Sequence, residues 1–304
     1  MRWKLAFALS ATTVVAVIGT SLTLSDDEPA GAAGNRYGTW TVSGADPAWR
    51  GTMVVGATGF PHAAVATDSS SPTTPSSAVL DPTTPFGAEF GGSGPAGVGG
   101  NALSASTSEA GARSVTTLTF AAATPPAGWG FAVGDVDTDS IQVAAVGPAG
   151  PLTSTQLGFR GVFNACTGAS PRPAGCPTVV PTDVPRWDAV TATLRGTGVD
   201  TSGASGWFTP TVPITSMTVT YTAGSADTGF QMWVAADTSD ISGTVRLGTG
   251  GPAPSGSVVM LRTSDDTEIA RTRTASDGTY RFAAVPSTIY AIEIVPAPGD
   301  EVVG

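Results

Sequence analysis

Beyond about residue 33 the chain shows almost nothing of the 3.6-residue period of an amphipathic helix. Its apolar residues instead come in short runs, or alternate with polar ones, between clusters of Gly, Pro, Ser and Asp. That punctuation leaves no room for helices of ordinary length. It predicts strands over Gly38–Ser43, Gly51–Ala57, Ser114–Ala121, Gly130–Asp135, Ser140–Val146, Ala189–Arg195, Ile214–Tyr221 and Gly229–Ala235. Many short Val-, Thr-, Phe- and Trp-rich strands with turns at this spacing imply a β-sandwich or jelly roll. The 39 Gly and 24 Pro make up about a fifth of the 304 residues. That share lies below the roughly 25–30% typical of aperiodic disorder, and 41% hydrophobic residues supply a core. Residues 67–108, dominated by Ser, Thr, Pro, Gly and Ala, read as long loops holding at most one strand.

From Ile241 onward five closely spaced strands can be marked: Ile241–Leu247, Ser257–Arg262, Glu268–Thr274, Gly278–Ala284 and Ile289–Val295. Val258-Val-Met-Leu261 is continuously apolar, Thr279-Tyr-Arg-Phe282 alternates, and Asp277-Gly278 is a tight-hairpin dipeptide. With Ile241-Ser-Gly-Thr-Val245, Val285-Pro286 and Tyr290, this pattern resembles the carboxypeptidase regulatory-like, SD-repeat B and collagen-adhesin B modules. The resemblance implies a small prealbumin-like, Ig-like sandwich serving as a spacer in bacterial surface proteins. The larger segment, through Trp129-Gly-Phe-Ala-Val-Gly-Asp-Val-Asp137 and Ile141-Gln-Val143, resembles the jelly-roll domains that precede such modules. The expected organisation is a signal peptide over residues 1–32, a jelly-roll-like β-sandwich over 33–238 and a B-type β-sandwich over 239–304. The fold class is all-β throughout.

The expected signal peptide rests on a short basic start with Arg2 and Lys4, an apolar stretch from Leu5 to Leu24, and the small residues Ala30-Gly31-Ala32. The alternative is an uncleaved anchor, since about 20 apolar residues can just span a bilayer; Thr12, Thr13, Thr20, Ser21 and Thr23 weaken that reading. Either way the expected location is extracellular, secreted or at the cell surface. Export would allow Cys166 and Cys176, flanking a Pro/Gly loop, to close a disulfide. The net charge of −10 argues against nucleic acid as a partner, because that affinity needs basic residues to neutralise phosphates. Lys4 is the sole lysine, so the processed chain would lack the lysine that isopeptide cross-links in collagen-adhesin-type modules require.

The densest acidic cluster is Asp135-Val-Asp137-Thr-Asp139. On an extended strand, residues two apart share a face, so three carboxylates would project together and could hold a calcium ion. A solvated acidic turn is the other reading. It is not an EF-hand, since Ser140 and Val146 stand where that loop needs Gly and Glu. Trp49, Trp187 and Trp207 adjoin loops and are the candidates for stacking on a glycan, whereas Trp129, Phe131, Phe230 and Trp233 read as core. His62 is the only histidine, and there is neither a G-x-S-x-G nor an H-E-x-x-H motif. Gly92-Ser-Gly94-Pro-Ala-Gly97 matches G-x-G-x-x-G only formally, since it sits in low-complexity sequence ahead of no helix.

No catalytic residues are expected. The chain reads as an exported, non-catalytic protein whose large sandwich binds an extracellular glycan or a host or matrix protein, with the C-terminal module as spacer. A carbohydrate-binding protein and an accessory part of a larger extracellular enzyme are the alternatives.

Overall fold

The computed structural model describes residues 3–8, 17–18, 20–21, 36–75, 80–91, 101–167, 176, 182–198, 200–246, 251–252, 255–264 and 266–295. The fold is all-β, with large antiparallel sheets in a sandwich or barrel-like arrangement. The chain divides into two units: a head of residues 35–56 and 60–237, and a second unit of residues 1–34, 57–59 and 238–304.

Before the head come β1 (Trp3–Ala8), β2 (Val17–Ile18) and β3 (Thr20–Ser21). The head opens with β4 (Arg36–Ser43), β5 (Trp49–Val55) and β6 (Ala63–Thr67), followed by helix α1 (Pro85–Phe90). Then come β7 (Leu103–Ser106), β8 (Arg113–Phe120), β9 (Trp129–Gly134), β10 (Ser140–Gly147), β11 (Gly150–Pro151) and β12 (Phe159–Asn164). It closes with β13 (Arg186–Asp188), β14 (Thr193–Arg195), β15 (Ala204–Phe208), β16 (Ser216–Thr222) and β17 (Gly229–Ala236). Its strands pair in the order β12-β15-β9-β17-β4-β5-β6-β8-β16-β10-β14-β13, with β11 on β10 and β7 on β17.

Side-chain alternation explains why these strands layer as they do. β8, β10 and β16 bury every second residue, so each has one face on the core and one on solvent. β9 and β15 are buried on both faces, which fits their runs Trp129-Gly-Phe-Ala-Val-Gly134 and Ala204-Ser-Gly-Trp-Phe208. The Phe131 and Phe208 rings stack with centroids 4.7 Å apart across that pair. Each such ring, fully buried, contributes about 1.5–3 kcal/mol.

The segment expected to be long loops contributes a helix, a strand and core residues. Thr84 caps α1 by accepting from the Gly87 N–H at 3.0 Å, and Pro85 opens its first turn. Phe86 and Phe90, four apart on one helix face, are buried with Leu80, Trp207 and Trp233. The composition of the segment is loop-like, but its few large apolar residues fall at helical spacing. The stretch expected as one strand over Ala189–Arg195 is instead the turn and second strand of the β13–β14 hairpin.

In the second unit, β18 (Thr238–Thr244) pairs with β21 (Thr279–Pro286), and β19 (Val258–Arg262), β20 (Glu268–Arg273) and β22 (Ile289–Val295) form a sheet in the order β1-β22-β19-β20. The core between them is Val245, Val259, Leu261, Tyr280, Phe282, Val285, Tyr290 and Ile292. At the hairpin before β21, Asp277 accepts from the Thr279 N–H and hydroxyl, and Gly278 takes φ 82°. Of the expected signal segment, residues 3–8 lie on the β22 edge as β1, and all but residues 17–18 and 20–21 of the remainder lie outside the described residues.

Candidate functional site

The acidic run 135–139 does not continue β9 as an extended strand. The strand ends at Gly134, Asp135 turns left-handed at φ 66°, and Val136 is fully buried with its N–H on the Ala204 carbonyl at 2.9 Å. The simple alternation that would put three carboxylates on one face is therefore broken. Seating the apolar Val136 in the core forces the turn.

That turn is held by two glycine-containing segments. Gly196 N–H donates to the Asp139 carbonyl at 2.8 Å and Gly198 N–H to the Asp137 carbonyl at 3.0 Å. A Cβ on Gly196 would lie 1.9 Å from the Asp137 carbonyl oxygen, so no larger residue fits against the turn. On the other side the Asp139 carboxylate accepts from the Gly224 N–H at 2.6 Å and from the Thr228 hydroxyl at 3.3 Å. Asp139 is thus buried and tied to the Gly224–Thr228 segment.

Asp137 and Asp135 turn toward different company. Asp137 is 3% exposed; its Oδ2 accepts the Thr201 N–H at 3.2 Å, while its Oδ1 is closed to solvent with no hydrogen-bond partner. The Thr201 hydroxyl donates to Asp183 Oδ2 at 2.8 Å, which brings a carboxylate from a distant loop beside Asp137. Asp135 accepts the Gly203 N–H, in the same 200–203 stretch. Burial, with Asp139 and Asp200 nearby, pushes the Asp135 carboxyl up to about 6. Burial, then Asp135 and Asp183, push Asp137 up to about 7. Among the described residues, the groups acting on this pair are carboxylates and backbone N–H groups. Among the described residues no three carboxylate, imidazole or thiolate groups stand in a ready-made metal-ligand arrangement.

The Cys166–Cys176 disulfide adjoins this cluster. The bond is closed, with Cα atoms 5.5 Å apart. Asn164, at the end of β12, accepts the Cys166 N–H at 2.9 Å and donates to the Asp183 carbonyl at 3.0 Å. One asparagine side chain therefore couples the bridge to the acidic loop.

The three candidate tryptophans are not equivalent. Trp207 is 7% exposed, inside the cluster of Phe86, Phe163 and Trp233, with the Arg160 guanidinium 5.7 Å from its ring centroid. Its place on β15, buried on both faces, removes it as a stacking platform. Trp49 begins β5, half-buried, with its indole N–H enclosed. Trp187 is half-buried on β13, stacked on Phe159 at 4.9 Å and edge-on to Phe208. Sequence reasoning missed Asp183, Asp200, Thr201 and Asn164. Each is an ordinary loop or strand-end residue, brought to the acidic turn only by long-range pairing.

Fold and site together define an all-β, disulfide-closed chain with a buried carboxylate cluster at one end of β9. No protein-family model matches the sequence, and no curated protein or solved structure matches it either.

Proposed function

We propose that the chain is an exported, non-catalytic protein in which the head unit binds an extracellular ligand and the second unit is a spacer. The observation that carries this reading is the closed Cys166–Cys176 bridge, because such bonds persist in oxidising compartments and are rare in the cytosol. The basic-then-apolar N-terminal segment supports it, as does the resemblance of residues 241–304 to spacer modules of surface proteins. The spacer reading also fits the second unit's plain apolar core of Tyr280, Phe282, Tyr290 and their aliphatic neighbours.

The test is fractionation of a secreting bacterial host, with thiol labelling and N-terminal sequencing. The reading predicts exported chain whose cysteines resist alkylation until reduced. Chain retained in the cytoplasm with two free thiols would overturn it.

A glycan ligand is the second reading, favoured by Trp187 alone: a half-buried ring backed by Phe159, with Arg186 and Asp188 on either side in sequence. Polysaccharide pull-down by the full chain, lost in Trp187→Ala, would support a glycan. No retention on any glycan would remove it.

A further inference from the structure

We propose that the outward face of the head's β8-β16-β10-β14-β13 sheet binds an acidic polysaccharide, a uronic-acid chain whose carboxylates are taken by Arg113, Arg195 and Arg186. The inference rests on the binding-head reading and names the chemical class of its ligand.

Strand register puts the three arginines in one line. Arg113 on β8 lies opposite Thr222 on β16, Thr222 opposite Ser140 on β10, Ser140 opposite Arg195 on β14, and Arg195 opposite Arg186 on β13. Their chain neighbours Ser114, Tyr221, Ile141 and Leu194 are buried, so the line faces away from the core, and all three arginines are exposed. Asp188 is the one carboxylate in these five strands, and its oxygens accept from Val190 and Thr191. The chain as a whole has 24 acidic residues against 14 basic ones, so this face reverses the balance of the molecule.

Two observations point to an anion. Arg186 and Arg195 are direct cross-strand partners, and like charges facing each other at about 5 Å destabilise a sheet. Among the described residues no carboxylate lies within 4.0 Å of either guanidinium, or of Arg113. Asp139, next to Ser140 in sequence, is turned away onto Gly224 and Thr228. An anion seated between two guanidiniums removes their repulsion and gains charge-assisted hydrogen bonds.

Spacing and hydroxyls select the polymer. Arg113 and Arg195 are three strand spacings apart, roughly 14 Å, and between them the line offers only the hydroxyls of Thr222 and Ser140. A uronate chain matches that order, with separated carboxylates on hydroxyl-rich rings. DNA carries a charge every ~1.7 Å and is repelled by a net charge of −10. A lipid surface calls for apolar side chains beside the arginines, and the line has none. Trp187 points to the opposite face of β13, against Phe159, so this site is separate from a stacking platform there.

The experiment measures binding of the full chain to immobilised polygalacturonate, with dextran, duplex DNA and phosphatidylserine vesicles as comparison arms. Affinity for polygalacturonate should fall roughly tenfold between about 50 and about 200 mM salt, as three neutralised charges imply. Arg186→Gln with Arg195→Gln should lower it at least tenfold, while the ligand-free double variant melts no lower than the parent because the facing charges are gone. Arg113→Gln, on another strand, should lower it several-fold and serves if the hairpin variant does not fold. Arg273→Gln, the same charge change in the second unit, should leave it unaltered. No retention on polygalacturonate overturns the proposal, as does binding that survives the arginine changes or falls equally in Arg273→Gln. Tighter binding to DNA or to the vesicles also overturns it. Retention on dextran with none on polygalacturonate removes this site while leaving the binding-head reading in place.

Discussion

In the second unit Glu293, buried on β22, reaches the Arg262 guanidinium at 2.6 Å, Glu268 meets Arg271 at 2.6 Å, and Asp240 pairs with Arg281. In the head Asp135 and Asp183 act on Asp137, and Asp139 and Asp200 on Asp135; among the described residues the groups acting on Asp135 and Asp137 include no arginine. Among the described residues every ion pair within 4.0 Å lies in the second unit. Both units come from one acidic, nearly lysine-free chain, so composition does not decide how a carboxylate is treated. Register does: β19 and β22 place Arg262 and Glu293 on adjacent strands of one sheet, whereas the turn after β9 sends acids toward other acidic loops. Among its described residues the second unit pairs Asp240, Glu268 and Glu293 with arginines. The head gathers carboxylates that raise one another's pKa where β9 ends.

The largest effect that would break this comparison comes from the turn itself. Gly196→Ala drives a Cβ into the Asp137 carbonyl and should destabilise the head by about 3 kcal/mol. It should leave the second unit's transition in place. Chemical denaturation followed by tryptophan emission reports the head, because every tryptophan but Trp3 lies there. Next is the bridge: Cys166→Ser with Cys176→Ser should cost about 3 kcal/mol by the chain-entropy estimate for so short a loop.

A smaller effect separates the two units by pH. Asp135 and Asp137 are raised above the ordinary carboxylate range, so between about pH 4 and about pH 7 the folded head holds protons that the unfolded chain has released. In chelator the head should therefore lose stability as pH rises through that window. Glu268 and Asp277 in the second unit are lowered, chiefly by hydrogen bonds from Arg271 and Thr279. Their contribution is present above the ordinary carboxylate value and is lost on acidification. Melting curves across pH 4–8 should show the head transition falling with rising pH while the second unit's does not.

Much of this architecture is legible in the sequence. Met217 and Val219 alternate with Ser216, Thr218 and Thr220, and the strand they predict is there. Asp277-Gly278 forms the turn its dipeptide implies. Residues 67–108 misled because composition outweighed spacing: Thr84-Pro85 and the Phe86/Phe90 pair carry a helix signal among loop-like neighbours. The site was half legible. The density of acids marked Asp135 and Asp137, but the left-handed Asp135 and the buried Val136 sent Asp139 elsewhere. Asp183 joins only through Thr201 and Asn164, contacts that no local pattern encodes.

The most direct measurement replaces one carboxylate in each unit by its amide and compares melting in chelator at pH 7.5. Asp137→Asn removes a carboxylate that burial, Asp135 and Asp183 disfavour in its charged form, and should stabilise the head by about 2 kcal/mol, after discounting for relaxation around it. Glu293→Gln weakens a buried pair with Arg262 and should destabilise the second unit by about 1–2 kcal/mol. Opposite signs are what the account predicts. An Asp137→Asn head that melts lower than the parent would contradict it.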